Sequence, residues 1–232
     1  MAAPIAIFGS TGLTGSHVLK TLLATDHPVT TISRRSPAAT SPTLNALVEP
    51  EPSKWAAALS GLSPPPAAVI SAVGTTRAAA GGLAEQWKID HDLNVELARA
   101  AKEAGVKTFV FVSSAGTRGA VASSAPYSKM KNGVEDAVRD LGFETAVVLK
   151  PGTIMGQREK PRTVEGLWQG IVNGIGRVAP GVKDALGQSA ESIGAATAKA
   201  TQMAIEGKAP SKYWVIEAPE ILKLGRDEAA KA

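Results

Sequence analysis

The chain has 232 residues, 44% hydrophobic and 20% charged, so it can bury the core of one large domain. Its net charge of +4 comes without any Lys/Arg run interleaved with aromatics, which argues against nucleic-acid binding. It has no cysteine, which excludes disulfides, thiol catalysis and thiolate metal sites, and His17, His27 and His91 lack metal-ligand spacing.

Strand-like apolar runs alternate with helix-like stretches through the first two thirds of the chain. "IAIF" (Ile5–Phe8) and "VTTIS" (Val29–Ser33) flank a stripe of Val18, Leu19, Leu22 and Leu23 at helical spacing. Further strands are expected at Asn45–Val48, Ala68–Val73, Thr108–Ser113 and Thr145–Lys150, with helices at Ser53–Ser60, Glu85–Ala104 and Tyr127–Leu141. Strands that are apolar throughout and separated by helices predict a parallel sheet covered on both faces, a doubly wound α/β domain. After Pro151 the alternation breaks down: Gly152–Gly187 is glycine-rich and irregular, "AESIGAATAKATQMAIEG" reads as a helix, and "YWVIE" as a last strand. No internal repeat is present, and the expected organisation is a single domain over 1–232, with 152–232 contributing most of a small substrate-side lobe.

No run of about 18 apolar residues predicts a membrane-spanning helix, so any membrane association would be peripheral. The first strand begins by Pro4 or Ile5, leaving no room for a cleavable signal or transit peptide. The expected setting is therefore intracellular and reducing, on the cytoplasmic face of any organelle.

Directly after the first strand comes "GSTGLTG", with Gly9, Gly12 and Gly15 at three-residue steps opening the first helix. A tight turn, close approach of a pyrophosphate to the helix N-terminus, and close packing of helix on sheet each call for one of these glycines. The second strand ends in Ser33, Arg34 and Arg35 with no carboxylate to hold a ribose 2′-hydroxyl. Two guanidiniums at that point suit the 2′-phosphate of NADP, because arginine pairs bidentately with phosphate.

The stretch "APYSKMKNG" puts Tyr127 and Lys131 four residues apart, on one face of a helix. A tyrosine is a weak base at neutral pH, and a lysine cation one turn away favours its phenolate. The pair could also be two unrelated residues on a solvated helix. Its place after a glycine loop and an arginine-ended second strand favours the working pair.

With the glycine loop, "SRR", "VGTTR", "VSSAG", "YSKMK" and "KPG" in this order, the chain resembles the short-chain dehydrogenase/reductase superfamily in its atypical branch. It is most similar to the Tat-interactive-protein oxidoreductases and the fungal found-in-mitochondrial-proteome proteins of the mitochondrial outer membrane, notably in "SAVGTTR", "IDHDLNVELARAAKEAGVK" and "EAPEILKLG". The resemblance implies a Rossmann-like, NAD(P)-binding fold and an NADPH-dependent oxidoreductase acting on a small carbonyl or alcohol. In it Tyr127 exchanges the proton, Lys131 partners it on the nicotinamide ribose, and Ser114 holds the substrate carbonyl, with Ser113 as the alternative. Asn94 corresponds to an asparagine that supports a water and proton path in many relatives. The implied cofactor lining runs through Gly9, Ser10, Thr11, Gly12, Leu13, Thr14 and Gly15, then Ser33, Arg34 and Arg35, Val73, Gly74 and Thr75, Lys131, Pro151, Ile154 and Arg162. Lys150 stands where many relatives carry arginine before Pro-Gly. The alternative function is a non-enzymatic NADP(H)-binding regulator, which would keep the glycine loop and the arginines without needing Ser114, Tyr127 and Lys131 together.

Overall fold

A computed structural model describes residues 2–155 and 187–229. Its centre is a sheet of seven parallel strands: β1 (Ile5–Phe8), β2 (Val29–Ser33), β3 (Leu44–Val48), β4 (Ala68–Ser71), β5 (Thr108–Val112), β6 (Thr145–Lys150) and β9 (Tyr213–Glu217). The spatial order is β3-β2-β1-β4-β5-β6-β9. The chain winds outward from β1 in both directions, so the crevice beyond the C-terminal ends of β1 and β4 is the topological switch point, where ligands of such sheets bind.

Side-chain alternation along each strand feeds two cores. On one face Phe8, Ile32, Phe109 and Phe111 meet Trp55 and Leu59 of helix α2 (Trp55–Ser60), Leu97 of α5 (Leu93–Glu103) and Val134 of α6 (Pro126–Asp140). On the other, Ile5, Ile7, Ile70, Val110 and Trp214 meet Val18 and Leu22 of α1 (Leu13–Leu23), Ile193 of α7 (Ala190–Ile205) and Ile221 of α8 (Ala218–Ala229). All four residues of β1 and all five of β5 are buried, which is why those strands read as unbroken apolar runs. The sheet and its two helical layers match the doubly wound, Rossmann-like expectation.

Several local expectations change. The helix expected over Glu85–Ala104 is divided into α4 (Leu83–Trp87), a π-helical turn at Lys88–Asp92 and α5, and a short helix α3 (Arg77–Ala80) precedes it. Helix α8 follows β9 without a loop, and β7 (Thr153–Met155) pairs in parallel with β8 (Gly187–Ser189). In the stretch 152–232, β9 extends the main sheet beside β6, and α7 packs on α1 so closely that a Cβ on Gly194 would lie 2.5 Å from His17 Cβ. Residues 190–229 therefore add a strand to the sheet and two helices to its covering layer.

Candidate active site

The glycine loop is shaped by sterics at each of its three glycines. Gly9 leaves β1 at φ +80°, a conformation that L side chains avoid, and an added Cβ would lie 2.7 Å from the Ala72 backbone. A Cβ on Gly15 would fall only 2.1 Å from the Gly9 carbonyl oxygen, so this residue lets α1 close onto the turn. Gly12 is different: it is the N-cap of α1, exposed, and a Cβ there would meet only the Gly9 oxygen, at 3.2 Å. The first turn of α1 carries no acidic residue, leaving its N-terminal amides to favour an anion. Beside it, the Ser10 hydroxyl is fully buried and lacks a hydrogen-bond partner among the described residues. Thr11 and Leu13 are half-buried and Thr14 is buried.

At the end of β2, buried Ser33 donates to the Arg35 carbonyl at 2.8 Å and so turns the chain outward. Arg34 and Arg35 are exposed, and Arg35 Nη2 lies 3.5 Å from the Thr11 carbonyl, which brings the arginine pair to the glycine loop.

The loop after β4 carries Val73, Gly74 and Thr75 and is held by a residue that sequence reasoning missed. Asp90, fully buried on the π-helical turn, accepts from Thr75 N at 2.7 Å and from Gln86 Nε2 at 2.9 Å. A Cβ on Gly74 would lie 3.3 Å from Asp90 Oδ1 and 3.9 Å from Lys131 Nζ, so the β4 loop lies against the lysine of α6. Asn94 is fully buried with its carboxamide occupied: Oδ1 accepts from Ser71 Oγ at 2.6 Å, and Nδ2 donates to the Ile89 carbonyl at 3.0 Å. In this arrangement Asn94 ties β4 to the start of α5.

Pro126 at the first helical position starts α6, and Tyr127 follows on its first turn, 41% exposed. Lys131, one turn on, is 5% exposed; its ammonium donates to the Val112 carbonyl at 3.3 Å and sits 4.8 Å from the Phe111 ring centroid. The two serines after β5 have different surroundings. Ser113 is buried and donates to Glu135 Oε1 at 2.5 Å. Ser114 is half-buried, and among the described residues its hydroxyl makes only a long 3.4 Å bond to its neighbour's carbonyl. Ala115 N donates to the Pro151 carbonyl at 2.7 Å, joining the β5 loop to the turn after β6, where Ile154 is half-buried. Arg162 lies outside the described residues.

Glu135 was also missed. It continues the Tyr127 and Lys131 spacing by one more turn, and a carboxylate on the sheet-facing stripe of an otherwise amphipathic helix was the available signal.

The model of the NAD dependent epimerase/dehydratase family matches residues 5–184. Protein fmp-52, mitochondrial, of Neurospora crassa is 56% identical over 230 residues, covering 96% of this chain and 95% of that protein. Protein fmp52-2, mitochondrial, of Aspergillus oryzae is 56% identical over 225 residues, covering 96% and 97%. Among solved structures, MoeE5 in complex with UDP-glucose and NAD superposes with a TM-score of 0.65 at 15% identity, over 97% of this chain and 81% of that one, a likeness of fold. The relatives' names correct one expectation. They point to mitochondria rather than to a cytoplasmic face. Matched by the family model from the first strand to beyond the sixth, and more than half identical to these two fungal FMP52 proteins, this chain belongs to the NAD dependent epimerase/dehydratase family.

Proposed function

We propose that the protein is an NADPH-dependent oxidoreductase that reduces a small carbonyl, or oxidises the corresponding alcohol, with Tyr127 exchanging the proton. The observation that carries this reading is the buried Lys131 ammonium, which bridges α6, the end of β5 and the β4 loop one turn from an exposed tyrosine. By the names of the relatives, the protein works in mitochondria.

The residues present fit a dinucleotide. Gly12 leaves the α1 N-terminus open, the buried Ser10 hydroxyl lacks a partner among the described residues, and β2 itself ends in Ser33, Arg34 and Arg35 without a carboxylate. In this reading the amides of Gly9–Gly15 hold the pyrophosphate, Arg34 and Arg35 take the 2′-phosphate, and Val73–Thr75 line the cleft. Lys131 takes the ribose, and Pro151 and Ile154 flank the nicotinamide end. When bound, the cofactor supplies the hydride. Ser114 donates a hydrogen bond to the substrate carbonyl oxygen, which polarises it. Tyr127 gives its proton to that oxygen as the alcohol forms, and Lys131 places positive charge on the face of α6 where the phenol oxygen becomes negative. Asn94 and Asp90 orient the β4 loop without entering the chemistry.

The test pairs binding with turnover. Tyr127→Phe should leave NADPH affinity nearly unchanged by calorimetric titration, while reduction of para-nitrobenzaldehyde falls by a factor on the order of 10²–10⁴. Reduction at the unmutated rate would remove the catalytic reading. The family description favours a second reading, epimerisation with a retained cofactor. That activity would convert its substrate with no net loss of NADPH absorbance.

A further inference from the structure

Glu135 is 2% exposed, two helical turns beyond Tyr127 and one beyond Lys131 on α6. Burying a carboxylate is costly unless it is paired and hydrogen-bonded, and this one has three directional partners. Oε1 accepts from Ser113 Oγ at 2.5 Å, while Oε2 accepts from Arg118 Nε at 3.1 Å and lies 3.4 Å from Lys150 Nζ. The Lys150 side chain is itself only 7% exposed, so the pair sits inside the molecule.

The partners come from three separate places, and two of them immediately precede a residue of the proposed site. Ser113 ends the β5 run and immediately precedes Ser114. Lys150 ends β6 and immediately precedes Pro151. Arg118 belongs to the loop that delivers the chain to Tyr127, and its Nη2 grips Asp136 Oδ1 at 2.8 Å on the next residue of α6. A lysine at position 150 suits this arrangement. An ammonium contacts Oε2 as a point charge and leaves Oε1 to Ser113, whereas a guanidinium tends to occupy both oxygens.

We infer that Glu135 is the positioning residue that sets Ser114 against Tyr127, acting through Ser113, Arg118 and Lys150; the inference rests on the proposed catalytic reading of that serine and tyrosine. A role in stability alone does not require this arrangement, because apolar groups of similar volume commonly replace a buried ion pair without loss. Orientation does require it. One carboxylate joins the ends of two strands and a loop to the helix that carries the tyrosine, and small misplacements of reacting groups reduce rates steeply.

The experiment compares Glu135→Gln, the charge-neutral double variant Glu135→Gln/Lys150→Met, and Tyr127→Phe in the full chain. Each is read by thermal unfolding, amide hydrogen exchange over residues 113–125, and kcat and KM for para-nitrobenzaldehyde with NADPH. Glu135→Gln should lower kcat by a factor on the order of 10², with KM changed less than about threefold, and should speed exchange in 113–125 more than elsewhere. The double variant should regain thermal stability while kcat and loop protection stay low. Recovery of kcat in the double variant, or unchanged loop exchange in Glu135→Gln, overturns the inference. A Tyr127→Phe protein with full turnover removes the catalytic reading instead. In that event, or if the aldehyde is not reduced at all, the loop exchange of Glu135→Gln still decides whether this carboxylate holds the segment.

Discussion

Replacing Ser113 or Ser114 by alanine should produce two different defects, because the same hydroxyl does different work at adjacent positions. The Ser113 hydroxyl is buried and makes a charge-assisted bond to Glu135 Oε1 at 2.5 Å. Deleting it leaves a buried carboxylate oxygen short of a donor, at a cost of about 1.5–3 kcal/mol. For a chain of this size each kcal/mol corresponds to roughly 2–4 °C, so Ser113→Ala should unfold several degrees lower. Its turnover should fall by no more than about tenfold, since Arg118 and Lys150 still hold the carboxylate. Ser114→Ala removes a half-buried hydroxyl whose bond to the Ala115 carbonyl is 3.4 Å long, which should cost less than about 0.5 kcal/mol. Its turnover should instead fall by a factor on the order of 10²–10³, the range for losing a donor to the reacting oxygen. Thermal unfolding and NADPH consumption with para-nitrobenzaldehyde, measured on both variants, check the pair. Full turnover by Ser114→Ala, or a Ser113→Ala protein as stable as its parent, would refute the reasoning.

Replacing both Arg34 and Arg35 by alanine should weaken NADPH roughly 10- to 100-fold and spare NADH, because only NADPH loses a charge-assisted contact. Calorimetric titration checks this, and equal affinities of the unmutated protein for the two cofactors would exclude the assignment. Gly12→Val should abolish cofactor binding at a smaller cost in stability than a side chain at Gly15, because its Cβ must push back one backbone oxygen at 3.2 Å rather than overlap one at 2.1 Å. Gly15→Ala should destabilise by about 2 kcal/mol, overpacking of up to ~3 kcal/mol against the Gly9 carbonyl being offset by ~1 kcal/mol of helix propensity. Similar melting temperatures for these two variants would contradict the loop geometry. Burial, and then the charge of Glu135, push the Tyr213 hydroxyl up from the ordinary 10.0 to about 12, while it donates to the Glu135 carbonyl at 3.2 Å. The folded state holds this proton more tightly than the unfolded one, so the stability linked to it is complete below pH 10 and is lost as pH rises towards 12. Chemical denaturation across that range should show a shallower alkaline decline in Tyr213→Phe than in the parent.

What was legible in the sequence was what short-range physics dictates. "IAIF" and "TFVFV" read as strands because both faces of β1 and β5 are buried, so no polar residue interrupts them. The glycine loop was legible because its demands are local: Gly9 needs a left-handed backbone, and Gly15 must clear a carbonyl six residues earlier. Tyr127 and Lys131 could be paired because helical period alone puts them on one face. The long helix expected through Glu85–Ala104 was less secure, since a π-helical turn inside it depends on Asp90 reaching Thr75, fifteen residues away. The different surroundings of Ser113 and Ser114, the occupied carboxamide of Asn94 and the network of Glu135 are visible only in three dimensions. Ser113 meets Glu135 across twenty-two residues and Lys150 meets it across fifteen, and no sequence period encodes either approach. Those contacts exist because the parallel sheet sets β5 beside β6 and lays α6 over their ends, so one buried carboxylate reaches partners that the chain order keeps apart.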